Sequence, residues 1–267
     1  MNPYLQLGHE VLGNPAGIIG FLVCVAVAAY AQTLTGFAFA LILLSSVAVF
    51  ELVPITDAAN AAMVLTLVNA YAFFRTDRQP PPWRMMRPAL ISSLCFTVAG
   101  VMLLMWFSTH ATQWLKIVLG LVIVGCAFSL MLQRRPRQSL SSPLGFGIAG
   151  SLSGILGGLF GTSGPPLVYL MYQQPLDHLL IRRALLLVFT SNSILRLTMV
   201  VATGTFTLRS LLLCVLSIPI VHFITMFTIR RPAPVSVRTL RTAVAWLLVV
   251  SGVLLVFSGW NKLLPAG

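Results

Sequence analysis

Acidic residues are scarce in this chain of 267 residues, which contains five Asp and Glu against 17 Lys and Arg. Charged residues of both signs make up only 8% of the sequence, whereas 58% of the residues are hydrophobic. Soluble domains carry about 25% charged residues. The shortage of charge therefore excludes a soluble globular protein and predicts an all-α polytopic membrane protein.

Cysteine and histidine are also rare, with four of each. The cysteines lie inside apolar runs without Cys-x-x-Cys spacing, so neither a disulfide framework nor a metal site is expected. The acids lie only at the edges of apolar runs, and no nucleophile stands with a base or a metal cluster. We therefore expect no enzyme, no catalytic residues, no metal and no cofactor.

The excess of basic residues gives a net charge of +12, which is also found in proteins that bind nucleic acids. Here the basic residues lie between the apolar runs, as they do in the loops that orient membrane proteins. The lipid bilayer, and not nucleic acid, is the partner that this distribution predicts. Residues 1–17 contain no Lys or Arg, so the charged region of a cleaved signal peptide is missing.

Two long apolar runs, 18–50 and 144–172, are each interrupted near the middle. The interruptions consist of small and polar residues, which are Gln32, Thr33, Thr35 and Gly36 in the first run and the stretch 157–166 in the second. One membrane span needs about 20 residues and two need about 40, so neither run fits a whole number of spans. We expect each run to form two half-helices whose exposed backbone lines a cavity, a pattern that marks the binding site of many transporters.

Three uninterrupted apolar spans follow each broken run, which divides a single transmembrane domain of residues 1–267 into repeats of about 18–133 and 144–260. A shift of 125 residues places Gly36 on Gly161 and Arg84 on Arg209 without a gap. If each broken run returns to its own side, thirteen basic residues face the cytoplasm and three face outward; otherwise the division is nine against seven. The positive-inside rule therefore predicts inverted repeats with both termini external, whether the broken runs re-enter or cross twice as short helices.

The second break contains the most specific local pattern, Gly161-Thr162-Ser163-Gly164-Pro165-Pro166. Proline favours the first position of a helix and Ser or Thr the position before it, so Pro165 or Pro166 should open a half-helix with Thr162 or Ser163 near its cap. The free N–H groups and positive dipole at such a helix end bind anions. We predict that an anionic substrate binds at Gly161, Thr162, Ser163, Gly164 and Pro165.

The first break supplies the matching residues Gln32, Thr33, Thr35 and Gly36, which should open the half-helix that runs to Phe50. Inverted repeats would bring the two breaks face to face near the middle of the membrane and form one compact anion site. Close packing of helices is the alternative role of the glycines.

Arg196 lies inside a predicted span, and Asn192 lies one turn before it on the same helix face. A cation buried in a bilayer faces a cavity or a partner, so both residues are candidate contacts for the anion. Snorkelling of Arg196 to the outer surface is the alternative. The pair Arg182-Arg183 is either a topology signal or collects anions at the cytoplasmic mouth.

The stretch from Gly154 to Leu167, with Arg182-Arg183-Ala184 after it, resembles the second-half signature of TauE/SafE permeases, the sulfite and organosulfonate exporters. The layout in two halves is similar to that family over essentially the whole chain. The first half departs from the family pattern, because the glycine-rich run is replaced by residues 31–39 with one glycine. The resemblance implies a multi-pass carrier of small anions in the bacterial inner membrane.

These patterns predict a secondary transporter that exports sulfite, sulfoacetate or a related organosulfonate or carboxylate by alternating access. An anion channel on the same inverted-repeat fold is the alternative. The sequence leaves open which anion is carried, which ion is coupled, and whether the chain acts alone or as a homodimer.

Overall fold

The computed structural model describes residues 15–77, 79–110, 112–131, 139–161 and 163–230, with positions 242, 245, 246, 249, 250, 252, 253, 256, 257 and 260. All regular structure in this part of the chain is α-helical, and the described positions after residue 241 are helical too. The helices are α1 Pro15–Thr35, α2 Phe39–Phe50, α3 Ile55–Asp77, α4 Trp83–His110, α5 Thr112–Met131, α6 Pro143–Phe160, α7 Pro165–Tyr172, α8 His178–Ala202 and α9 Leu208–Arg230.

Five of the described helices, α1, α3, α4, α8 and α9, are long and apolar enough to cross a membrane. Large apolar side chains on their outer faces are exposed, for example Ile19, Val23 and Val27 at every fourth position of α1. Such a stripe on one helix face suits contact with lipid, while the opposite face packs inward. The prediction of an all-α polytopic membrane protein is confirmed.

Both apolar runs are broken where the sequence predicted. Gly36 ends α1 and Gly161 ends α6 in the left-handed conformation, with φ angles of 79° and 69°. Their N–H groups donate to Gln32 O at 2.7 Å and Gly157 O at 2.8 Å, which closes the last turn of each helix. Glycine is the residue that adopts this backbone conformation without steric cost, so these two positions stop the helices.

The details of the first break differ from the prediction. Thr33 and Thr35 do not open α2 but lie in the last turn of α1, where their hydroxyls donate to the carbonyls of Ala29 and Ala31, each at 2.7 Å. A threonine inside a helix can donate its hydroxyl proton to a carbonyl of the preceding turn, so a threonine does not by itself mark the start of a helix. With 21 residues α1 is also a full-length span, not a half-helix.

Helices of the two halves pack against each other. α4 packs along α6 and against α8, while α9 packs along α3 and against α1; α3 and α8 meet between them. The shift of 125 residues carries α6 to 18–35, α8 to 53–77 and α9 to 83–105, close to the bounds of α1, α3 and α4. Each contact of α9 with the first half therefore has an equivalent contact of α4 with the second half.

The close packing of α4 and α6 depends on three glycines of α6 spaced one turn apart. A Cβ at Gly150, Gly154 or Gly158 would overlap the backbone of α4, at Ala89, Ser93 and Thr97 respectively. Small residues at every fourth position let two membrane helices approach this closely. The packing interpretation is therefore correct for Gly158.

Candidate substrate-binding site

A cavity lies where the two breaks meet. It is lined by Gln32, Thr66, Gly161, Ser163, Gly164, Phe189, Ser193 and residues 37–41, and we call it the central cavity. Its volume of about 30 Å³ is enough for about two water molecules. Residues of both breaks thus line one compact space, and none of the described residues around it is acidic.

Ser163 is positioned by an asparagine of α8. Its hydroxyl oxygen accepts a hydrogen bond of 3.1 Å from Asn192 Nδ2, while Asn192 Oδ1 accepts one of 3.2 Å from Ser93 of α4. All three side chains are buried. Within the described residues the Ser163 hydroxyl donates to no protein group, so its proton is available to a ligand in the cavity.

The two short helices begin at the central cavity. Ala38 precedes α2 and Gly164 precedes α7, and no side chain caps either helix. Both helices direct the positive ends of their dipoles toward this space. The first turn of α2 also leaves unpaired N–H groups there, whereas α7 begins with Pro165 and Pro166, which have no N–H. Pro165 opens α7 as predicted, but Ser163 does not cap it, because its hydroxyl is bound to Asn192.

Arg196 lies behind Gly161. Its side chain is only 4% exposed, and Nε and Nη1 have no hydrogen-bond partner among the described residues. A Cβ at Gly161 would overlap Nη1, so the guanidinium lies directly against the backbone of a residue that lines the cavity. Snorkelling to the surface is therefore wrong, and the guanidinium charge acts on the cavity through a medium of low dielectric constant.

Gln32 is the residue of the first break that lines the central cavity with its side chain buried, and its Oε1 has no partner among the described residues. Thr33 instead accepts a hydrogen bond of 3.0 Å from Asn69, and Thr35 accepts one of 3.4 Å from the Phe37 N–H. Gly36 packs against Arg182. These three predicted site residues hold the break in shape and lie outside the lining of this cavity.

Thr162 lies outside the described residues, and of Pro165 only the backbone is described. The sequence prediction missed Thr66, Ser193 and the two phenylalanines Phe37 and Phe189, which line the cavity. Ser193 follows Asn192 directly, and this adjacency was the available signal. No pattern in the sequence marks Phe189 as a cavity residue, because it is one of many apolar residues in its span.

Comparison with known proteins adds the family. Residues 21–255 match the sequence model of the family described as Sulfite exporter TauE/SafE. The chain belongs to the TauE/SafE family. This TauE/SafE protein is also 31% identical over 235 residues to a protein of Cupriavidus necator named probable sulfite/organosulfonate exporter TauE. The match covers 88% of the chain and 92% of that relative.

No solved structure matches the chain. The TauE/SafE family consists of membrane transporters, so the resemblance seen in the sequence is confirmed and this TauE/SafE protein is a membrane transporter. Its helices of membrane-spanning length agree with that function.

Proposed function

We propose that this TauE/SafE protein exports a small oxyanion, sulfite or an organosulfonate, through the central cavity. The observation that carries the proposal is a buried guanidinium without a partner among the described residues, next to a cavity at which two helices begin. The family and the named relative supply the chemical class of the anion.

The central cavity offers donors and positive charge, which are the groups that an oxyanion needs. Ser163 offers its hydroxyl proton, α2 offers its first N–H groups, and α7 offers the positive end of its dipole. Arg196 adds a charge that no described carboxylate neutralises. Sulfite has three oxygens to accept these hydrogen bonds. The small volume favours an anion of few atoms over a bulky one.

Movement of one half against the other would expose the central cavity to each side in turn. The equivalence of the α4 and α9 contacts under the shift of 125 residues supports two related halves, and the loop charges support an inverted arrangement with external termini in the inner membrane. An inside-negative potential favours the exit of one negative charge by about 2.3 kcal/mol per 100 mV, so export of an anion needs no buried acid. Membership of a transporter family favours a carrier over the anion channel.

The test is a transport and binding experiment on protein reconstituted in phosphatidylcholine vesicles. Sulfite, sulfoacetate, sulfate and acetate are compared for wild type, Ser163→Ala and the matched control Ser151→Ala, whose hydroxyl donates to Gly147 O within α6. We expect saturable sulfite or sulfoacetate transport whose KM rises about tenfold or more in Ser163→Ala and not in Ser151→Ala.

Transport of none of these anions by folded wild-type protein would overturn the proposed function. Unitary currents in a planar bilayer would show that the protein is an anion channel and not a carrier.

A further inference from the structure

A second cavity lies at one end of the molecule, beyond the first break. It measures about 400 Å³, much larger than the central cavity, and residues of α1, α3, α8 and α9 line it. The polar groups around it include Thr33, Thr76, Asp77, Arg182 and Thr228. Of these residues the sequence pointed to Thr33 as a substrate contact and, as one of two alternatives, to Arg182 as a collector of anions at the cytoplasmic mouth.

Arg182 is the group of the second cavity that can hold an anion. Its Nε and Nη2 atoms are buried and have no hydrogen-bond partner among the described residues. The guanidinium carbon lies 4.1 Å from the centre of the Phe73 ring, which fixes the plane of the head group. A guanidinium held in place with free donors is suited to the bidentate binding of an oxyanion.

Asp77 attracts Arg182 electrostatically but makes no hydrogen bond to it, because both of its carboxylate oxygens bind Arg183. Arg183 donates through Nε and Nη2 to the two carboxylate oxygens, the second bond measuring 2.9 Å. The Arg183–Asp77 pair has no net charge, so the three side chains together carry one positive charge at the cavity.

The threonine hydroxyls of the second cavity do not compete for this role. Thr33, Thr76 and Thr228 each donate to a carbonyl one turn back in their own helix. Their protons are therefore used, and they can only accept. The guanidinium of Arg182 remains the donor through which an anion would be bound.

The last turn of α1 separates the two cavities. Gln32 lines the central cavity, whereas its neighbours Thr33 and Leu34 line the second. Gly36 packs directly on Arg182, where a Cβ would lie 3.0 Å from the Arg182 Cα. The last helical turn before the first break therefore lies between the central cavity and the second cavity.

Helix α8 runs past both cavities. Arg182 lies at the second cavity, Phe189 and Ser193 line the central cavity, and Arg196 lies beyond them. The two arginines are 14 residues apart in the sequence, about 21 Å along the helix. The central cavity thus lies between two buried guanidinium groups on one helix.

We infer that the second cavity is a loading site, in which Arg182 binds the oxyanion head group before the anion passes the first break into the central cavity. This inference rests on the proposed function. The ligand class is a sulfite, sulfonate or carboxylate head group, and the greater volume accommodates the organic part of an organosulfonate. An anionic lipid head group presents the same chemistry, so the experiment includes an arm that separates the two sources.

The experiment compares wild type with Arg182→Gln, Arg182→Lys and the control Arg75→Gln in phosphatidylcholine vesicles. Arg75 is exposed near the same end of α3 and its guanidinium contacts Tyr71, so its substitution removes the same charge outside the cavity. Sulfite and sulfoacetate transport give KM and kcat, and melting of the purified protein reports folding. We expect Arg182→Gln to raise KM about tenfold or more with a smaller change in kcat, Arg182→Lys to restore part of the loss, and Arg75→Gln to behave as wild type.

Equilibrium binding of sulfite to protein in phosphatidylcholine nanodiscs provides a second readout. We expect Arg196→Gln protein, in which the central cavity is impaired, to keep one sulfite site, and the Arg182→Gln/Arg196→Gln double variant to lose it. An unchanged KM in folded Arg182→Gln, or an equal effect of Arg75→Gln, would overturn the loading site while leaving the proposed function intact. Failure of wild type to transport or bind any tested anion would instead remove the proposed function.

The lipid arm repeats the binding measurement in nanodiscs that contain phosphatidylglycerol. Two results together would assign the cavity to lipid and overturn the loading site. The lipid would compete with sulfite in wild type but not in Arg182→Gln, and sulfite would not bind at Arg182 in phosphatidylcholine alone.

Discussion

Arg196 is a buried charge without a compensating carboxylate among the described residues, whose acids all lie at helix ends. Burial of an unpaired guanidinium in a membrane protein is costly. A residue retained for packing would stabilise the fold. Arg196 instead places an unpaired positive charge beside Gly161, and this buried charge destabilises the fold. Function and stability are therefore expected to respond in opposite directions when this side chain is changed.

We predict that Arg196→Gln lowers sulfite affinity by about tenfold or more and raises the melting temperature, because the charge that it removes attracts the anion through the Gly161 backbone and is buried without a partner. Transport in vesicles and thermal melting in detergent measure the two effects. Arg196→Lys, which keeps the charge, serves as the comparison. A lower melting temperature with unchanged affinity would show that Arg196 is a structural residue.

Gly161 offers a second test at the same place. Gly161→Ala places a Cβ against Arg196 Nη1 at a φ of 69°, whereas Gly204→Ala has a φ of 66° with no atom within 4 Å of the new Cβ. Both variants incur a similar backbone cost of about 1–2 kcal/mol, and only Gly161→Ala displaces the guanidinium. We expect melting temperatures to fall alike and sulfite transport to fall only in Gly161→Ala. Equal transport in the two variants would contradict the assigned position of the guanidinium.

At the scale of elements, α4 and α6 form the most extensive contact between two of the described helices, and the pair α1–α9 is its equivalent under the shift of 125 residues. The two pairs are held by different means. Gly158 of α6 lies against Gly100 of α4, while the equivalent positions on α1 and α9 carry Thr33 and Thr225, which both accept hydrogen bonds from Asn69. One contact depends on the absence of side chains and the other on polar side chains, so substitutions should affect them differently.

We predict that Gly154→Ala destabilises the protein by about 1–3 kcal/mol, because its Cβ would overlap the Ser93 backbone and force α4 and α6 apart. Gly147→Ala in the same helix is the control, since nothing lies within 4 Å of its new Cβ. Thermal melting in detergent measures both. A Gly154→Ala protein as stable as Gly147→Ala would show that the helices are free to separate without cost.

At the scale of the whole molecule, the sequence predicted most elements because apolar periodicity and length determine them. The three apolar spans predicted after the first broken run correspond to α3, α4 and α5, and the first two after the second run correspond to α8 and α9. The breaks at Gly36 and Gly161 are where glycine permits a positive φ. The sequence did not show that Thr33 and Thr35 end α1, because a hydroxyl that binds its own helix looks the same as one that caps the next. Ala38, with a φ of 81°, has no sequence signal either.

The roles of the polar site residues were harder to predict because they depend on contacts between distant parts of the chain. Ser163 lies 29 residues from Asn192, and Asn192 lies 99 residues from Ser93. Arg182 lies next to Arg183 in sequence, yet Asp77 forms hydrogen bonds with the guanidinium of Arg183 and none with that of Arg182. Only the packing of α3 against α8 distinguishes the two.

The proposed inverted arrangement makes a prediction about sidedness. Gln79 follows α3 and Thr205 precedes α9, and both are exposed at opposite ends of the helices, since α3 ends beside the start of α8. In a background without native cysteines, we expect Gln79→Cys to react with a membrane-impermeant thiol reagent only from the cytoplasm and Thr205→Cys only from outside. Labelling of intact cells and of inverted vesicles measures this. Reaction of both positions from the same side would exclude the proposed topology.

Charges of opposite sign lie near the two ends of α3, Asp57 in its first turn and Arg182 of α8 beside its last turns. Asp57 in its first turn accepts hydrogen bonds from Thr207 and Ser210, about 30 Å along the helix from Asp77 and the cavity of Arg182. Under the shift of 125 residues, Asp57 and Arg182 are equivalent positions. If the two halves are related as proposed, we expect an anion to be attracted more at the Arg182 end of α3 than at the Asp57 end. Transport in the two directions should then be unequal, and vesicles with randomly inserted protein would average the two rates.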